Sequence, residues 1–353
     1  MKRYIFIVAA VAIATISCSR TYDVTPVSES QIGFGSWTEH LTKRTQGGDT
    51  FVSGDDFAVY GSKLNGSTTN TVFDDVVVTY DGSAWDYVTA SVPARFWDPS
   101  ATSYTFYAIS PASVGTAATV APQTGVVTES ASITFAGDDS DVLVANKKTV
   151  VKTGSPLAYA TTPVPIQFNH IASLVDFKVK KHADLGNSTV AVSAFSISNI
   201  DNTGTFAVSD YADADPYGPV VAWTATARGS YDNGDGLTPV TLPIANVGTT
   251  GDFLINNLIV MPQSFRTDSN IQTVNIGYTI TDEASNVSTY DTSFNLKLFD
   301  NVDDKDNADT IIPSWEPGKH YTFYITINAN KINFTGAITT WTDADAGYNY
   351  LIN

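Results

Sequence analysis

The densest groups able to do chemistry are acidic. Residues 300–309 carry Asp300, Asp303, Asp304, Asp306 and Asp309, and Asp232 and Asp235 bracket Asn233 and Gly234. Hard oxygen ligands at alternate positions are the raw material of a calcium loop. Neither stretch has that loop's glycine at the sixth position with a glutamate at its end, so solvated acidic loops are expected. The four histidines, His40, His170, His182 and His320, fall at no metal-binding spacing and read as surface or packing residues. No nucleophile elbow, phosphate loop or dinucleotide glycine fingerprint occurs. A carboxylate pair for glycoside hydrolysis has no local support. The expectation is a protein with no metal, no cofactor and no enzymatic role.

Two other residue types invite a reading. Trp37, Trp85, Trp97, Trp223, Trp315 and Trp341 have rings that could stack on sugars, although large aromatics more often fill cores. A monomeric surface lipoprotein that captures glycans through exposed tryptophans therefore stands as an alternative role. The single cysteine, Cys18, excludes an intrachain disulfide and a cysteine-based zinc site. Ahead of it, Lys2 and Arg3 precede an uncharged apolar run that is too short for the roughly 20 residues of a membrane span. Thr15-Ile16-Ser17-Cys18 resembles a bacterial lipobox. That resemblance implies a signal peptide over residues 1–17, palmitate-bearing acylation of Cys18 and attachment to lipid of the cell outer membrane. Two or more acyl chains anchor stably where one is marginal. Residues 18–30 are polar and aperiodic, a flexible tether.

The elements that must carry such residues are strands. Of 353 residues only 16% are charged, against about 25% in a typical soluble domain, while aromatics reach 12%. That balance disfavours long solvent-facing helices and favours pleated strands. The formal charge of −17 repels nucleic acid. Short runs with period-two alternation recur from Gln31 onward. Phe57-Ala58-Val59-Tyr60 is one and residues 104–109 another. Val76 to Tyr80, Asp81-Gly82 and Trp85 to Tyr87 predict a hairpin, because Asp-Gly tolerates the positive φ of a tight turn. Val175, Phe177 and Val179 alternate with charges, and Tyr321, Phe323, Ile325 and Ile327 alternate with polar groups. Val274, Ile276, Tyr278 and Ile280 are answered across a turn by Phe294, Leu296 and Leu298. No stretch of helical length shows helical periodicity. The expected fold is all-β, antiparallel sandwiches. Two close prolines, Pro163 and Pro165, suit a linker, placing the domains at residues 31–165 and 166–353.

Several segments in order resemble the fimbrillin family, subunits of type V pili. They are Gln31-Ile32-Gly33-Phe34-Gly35, then Thr42-Lys43-Arg44-Thr45, then Phe57-Ala58-Val59-Tyr60-Gly61. Arg95-Phe96-Trp97 leads into Tyr104-Thr105-Phe106-Tyr107-Ala108. Phe168-Asn169-His170 resembles the family's opening of a second domain, and Trp315-Glu316-Pro317-Gly318 precedes the last long strands, which close at Trp341. The resemblance implies two transthyretin-like β-sandwich domains in tandem. It also implies export to the cell surface as a lipoprotein, cutting by a surface trypsin-like protease, and polymerisation with other fimbrial subunits by donor-strand exchange. Carried over, Arg44 is the cut site, with Lys43 its neighbour. A sandwich stripped of one strand exposes unpaired backbone groups and an apolar furrow, which an incoming strand satisfies together. Residues 31–37 suit the removable placeholder. Ile332, Phe334 and Ile338 share one parity, so the strand they lie on is either the donor or the closing strand of its own domain.

Overall fold

The computed structural model of the chain describes residues 31–37, 51–135, 141–153, 163–210, 219–232, 243–244, 252–267, 270–298, 300–301, 312–328 and 332–340. The first strands are β1 (Phe34–Trp37), β2 (Asp56–Asn65), β3 (Thr68–Tyr80), β4 (Trp85–Asp86) and β5 (Ser103–Ser110). After the short helix α1 (Ala112–Thr116) come β6 (Thr119–Val120), β7 (Val127–Glu129), β8 (Ile133–Thr134), β9 (Leu143–Ala145), β10 (Lys148–Val151) and β11 (Val164–His170). Next are β12 (Ser173–Lys181), β13 (Thr189–Asp210), β14 (Val220–Asp232), β15 (Pro243–Ile244), β16 (Asp252–Val260) and β17 (Gln263–Ser264). The last are β18 (Thr273–Thr281), β19 (Val287–Asn295), β20 (Asp300–Asn301), β21 (Ser314–Trp315), β22 (Lys319–Ile327) and β23 (Ile332–Thr340). The fold is all-β, as the composition and alternation require.

The first sheet runs β1-β11-β9-β5-β2-β3-β4, with β10 also on β5. Two further sheets run β16-β12-β22-β23-β20 and β19-β18-β13-β7-β6, the latter with β8, β14 and β15 also on β13. These two pack face to face: Phe177 of β12 meets Phe195 of β13 at 5.1 Å between ring centroids and stacks on Phe323 of β22 at 4.9 Å.

The alternating segments fold as their pattern dictates. Tyr321, Phe323, Ile325 and Ile327 are all buried while their neighbours are only partly so. Gly82 has φ +99°, and the Asp81 carboxylate accepts from the Ser83 and Ala84 amides at 2.7 and 2.8 Å, closing the expected β3–β4 turn. Val274 stands opposite Phe294, as expected. Leu296 and Leu298 do not continue that strand. The Leu296 amide donates to Gln272 O and the Lys297 amide to the Asn295 side chain, which turns residues 296–298 into a 3-10 helix with Leu296 wholly buried.

The expected boundary between residues 165 and 166 falls inside β11, which pairs with both β9 and β1. Proline is tolerated there for a geometric reason. The Val164 amide points to Gly33 O, so Pro165 turns its nitrogen to the other side, where β9 pairs only from Phe168 onward.

Both faces of the first sheet are covered. Phe57, Val59, Phe106 and Ala108 face an aromatic core with Phe34, Phe73, Tyr87 and Trp97. Ala58, Tyr60, Tyr107 and Ile109 face a larger core shared with the second half of the chain. Burial on two faces explains why β2 is buried without interruption from Phe57 to Ser62. The excursion after α1 binds the halves further: Val127 of β7 pairs with Val208, and Ile133 and Thr134 of β8 pair with Gly204 and Thr203.

Candidate functional site

The place where the molecule is least committed to its own chain is the bed of β1. This strand lies at the end of the first sheet and pairs, in parallel, with β11 alone: Phe34 with Val164, Gly35 with Pro165, Ser36 with Ile166 and Trp37 with Gln167. Just before it, the Ile32 amide donates to Arg95 O at 2.8 Å and Gln31 bridges to Phe96. Few main-chain bonds hold the segment, so its side chains anchor it.

Two of them do so. Ile32 is completely buried and Phe34 is 3% exposed. Phe34 meets four rings edge-on: Phe73 at 5.2 Å, Phe106 at 5.6 Å, Tyr87 at 5.9 Å and Phe57 at 6.3 Å. Edge-to-face pairs add about 0.5–1.5 kcal/mol each to the area term, and burying an Ile or Phe side chain contributes about 1.5–3 kcal/mol. The two alternate positions, Gly33 and Gly35, contribute no side chain and weaken the strand. The residues of the bed are also bonded to one another. Trp97 packs edge-on to Tyr104 at 4.8 Å, and the Tyr104 hydroxyl accepts from the Asp98 amide at 2.7 Å. Lys63, first, and Ser100 hold the Asp98 carboxyl far below the usual carboxylate range. At the mouth the Arg95 guanidinium lies 5.3 Å over the Phe73 ring, while its amide donates to the Tyr87 hydroxyl at 3.0 Å. Burial pushes the Tyr87 phenol up. The arrangement is a groove that holds an extended strand by its side chains.

The other residues singled out from sequence are scattered. Cys18, Lys43, Arg44, His40 and Trp341 lie outside the described residues, as do Asp303, Asp304, Asp306, Asp309 and Asp235. Asp300 pairs on β20 and Asp232 ends β14, and among the described residues no three His, Cys, Asp or Glu side chains converge. His170 meets Asp141 at 3.1 Å in a buried pair, His320 meets Asp176 at 2.9 Å, and His182 caps a 3-10 turn. Trp97 and Trp315 are buried and so are no sugar platforms, while Trp85 and Trp223 are half-buried. The Trp223 indole N–H instead donates to Ile171 O at 2.7 Å.

Ile332, Phe334 and Ile338 lie on β23, in register opposite Ile327, Ile325 and Tyr321 of β22. Beyond β22, β23 has only the short parallel pairing of Asp300 and Asn301 with Thr335 and Gly336. What the sequence pattern missed is the convergence of Phe57, Phe73, Tyr87 and Phe106 beneath Phe34. They come from β2, from β3, from the residue after β4 and from β5, and aromatic alternation is visible locally only in Trp85-Asp86-Tyr87 and Tyr104-Thr105-Phe106.

Known proteins share this architecture. A fimbrial protein from Bacteroides vulgatus aligns with a TM-score of 0.52 and 15% identity, covering 88% of this chain and 99% of that one. A cell adhesion protein from Bacteroides uniformis aligns with a TM-score of 0.47 and 16% identity, covering 89% and 100%. No curated protein matches the chain. The sequence model of the fimbrillin-like family matches residues 42–341. The match takes in both halves of the fold, from the segment before β2 to the end of β23, and the chain belongs to the fimbrillin-like family.

Proposed function

We propose that the protein is a structural subunit of a cell-surface fimbria, as shaft, tip or anchor, and that it supports adhesion. Residues 1–17 direct export, Cys18 carries the palmitate-bearing anchor in the outer membrane, and residues 18–30 tether two transthyretin-like sandwiches. A surface trypsin-like protease cuts at Arg44, or at the adjacent Lys43, and the subunits then join by donor-strand exchange. One observation carries this reading: β1 is a short edge strand, held by two side chains in an aromatic groove lined by residues of β2, β3 and β5 and by Tyr87. Lys43 and Arg44 follow β1 in the sequence and precede β2. A cut there leaves β1 bound by its groove contacts only. Membership of the fimbrillin-like family supports the fimbrial role.

A subunit that gives a strand at one place and receives one at another makes a heterologous contact, which propagates head to tail into a filament. Incubating the purified protein with an arginine-specific protease therefore converts monomers into ladders stable to mild detergent, and Arg44→Ala together with Lys43→Ala abolishes the ladder. A trimmed protein that stays monomeric at high concentration overturns the reading.

A further inference from the structure

A hollow lies on the outer face of β14, β13, β18 and β19, on a different sheet from the groove of β1. A row of polar residues crosses that face from strand to strand. Asp232 stands opposite Ser196, Ser196 opposite Asn275, and Asn275 opposite Ser293. One pleat along, Ala194 stands opposite Gly277 and Gly277 opposite Asp291. Phe195 and Ile276, the residues between, are buried on the inner face, so Ala194, Ser196, Asn275 and Ser293 point away from the core. The hollow has a volume of about 390 Å³, in the range of small-ligand sites.

Its floor exists because large side chains are missing there. β13 bulges at Ser193, between Val192 and Ala194, and the Ser193 hydroxyl donates to Gly277 O at 3.2 Å. A Cβ on Gly277 would lie 2.9 Å from Asp291 Oδ1 and 3.3 Å from Ala194 Cβ, so a larger residue would displace the carboxylate and fill the space.

We propose that this hollow binds a neutral oligosaccharide laid across the strands. The site goes beyond the fimbrial reading: it gives the adhesion a ligand class and does not depend on how subunits join. The lining carries the argument. The Asn275 side chain is spent on its neighbours, since Nδ2 donates to Ser196 Oγ at 3.1 Å and to Ser198 Oγ at 2.8 Å, while Oδ1 accepts from the Ser293 hydroxyl at 2.8 Å. This fixes what the two flanking serines offer. Ser196 accepts from the amide and keeps its proton to give, whereas Ser293 gives its proton and keeps its lone pairs. A sugar hydroxyl donates and accepts at once, so a fixed donor beside a fixed acceptor suits a run of hydroxyls. Asp232 and Asp291 stand at the two rims as charged acceptors, which take hydroxyl protons strongly and repel sialylated or sulfated sugars. No Lys or Arg is among the described residues that line the hollow. Strands lie about 4.8 Å apart, so the outer strands β14 and β19 are about 14 Å apart. One sugar ring does not touch both rims; linked rings do.

The test uses the full chain carrying Cys18→Ser, uncut by protease, so that polymerisation plays no part. Saturation-transfer NMR in EDTA, with lactose, maltose, cellobiose and N-acetyllactosamine, should show transfer to at least one of these neutral disaccharides and less to sialyllactose. Ala194→Leu, at an exposed position, fills the hollow and should abolish transfer. Asp291→Ala should raise the Kd about 10-fold, as for loss of a hydrogen bond to a charged group. Trp85→Phe should change nothing. The proposal is overturned if none of the four sugars receives transfer, if sialyllactose binds as tightly as they do, or if either hollow variant binds like the parent. Binding lost in Trp85→Phe and kept in Ala194→Leu would assign the sugar to a tryptophan instead. Binding that needs calcium in place of EDTA would mean that the carboxylates serve a cation, and it also overturns direct recognition. Filament assembly, read on the protease-treated protein, stands or falls separately.

Discussion

Tyr231 shows what a single side chain contributes to this fold. It is 1% exposed at the end of β14, and its hydroxyl has no hydrogen-bond partner among the described residues. A buried donor left unmade costs about 1–3 kcal/mol, so removing the hydroxyl removes a penalty. Tyr231→Phe should leave the protein as stable as the parent or up to about 1 kcal/mol more stable at neutral pH, read from the urea midpoint. Burial holds the Tyr231 phenol well above its ordinary value and pushes Tyr107 up to about 12. Unfolded phenols ionise near pH 10. A group whose folded pKa is raised contributes stability that is fully present below the unfolded value and lost as pH climbs through the folded one. The parent should therefore lose stability between about pH 10 and about pH 12, and Tyr231→Phe should lose less. A variant destabilised at pH 7 by more than about 1 kcal/mol would show that the hydroxyl has a partner after all. The histidines make the same point about environment: His170 and His320 each meet a carboxylate, Asp141 and Asp176, from another strand or loop.

At the scale of elements, β1 is weak because of what it lacks. Gly33 and Gly35 add no side chain to the sheet, and the space around Gly33 is open. Gly33→Thr should therefore gain up to about 1 kcal/mol of strand preference without a clash. The monomer should become slightly more stable, and on the proposed reading β1 should leave more slowly after cleavage, so the lag before ladders form should lengthen while the final extent does not change. A shorter lag, or none, contradicts the idea that β1 is held by its side chains against a deficient backbone. The strands that were legible in sequence were those with one buried face, such as β22, where burial alternates residue by residue. β2 was legible only in part, because both of its faces are covered. The length of β13 was not legible at all. Its pairing with β14 is interrupted between Ile197 and Ile200, between Asp201 and Thr203 and again near Asp210, and each bulge resets the alternation on which a reading depends. The groove had the same difficulty in another form: Ile32 and Phe34 announced a buried face, but the rings that receive them are brought together only by strand order.

At the scale of the whole molecule, the two halves of the chain share one core. The groove belongs to the first sheet and β23 to a sheet of the second half, so on the proposed reading a stiff filament needs a rigid body between them. That rigidity has identifiable sources. Tyr60, Tyr107 and Ile109 of the first sheet share a core with Phe177, Phe206 and Leu258 of the second half. β7 and β8 pair with β13 across the halves, and Trp223 is bonded to Ile171 O at the junction. Two sandwiches joined by a loose linker would unfold separately, whereas halves that share a core cannot, because each covers apolar surface the other exposes. Calorimetry on the intact chain should show one transition whose van't Hoff and calorimetric enthalpies agree. Residues 31–170 produced alone should expose the face made by Ala58, Tyr60, Tyr107 and Ile109 and fail to give a soluble folded domain. Two resolved transitions in the intact chain, one of them reproduced by the isolated half, would mean that the shared core is too weak to hold the body together. The two halves would then be joined by a hinge, and a filament of such subunits would bend within each subunit as well as between subunits.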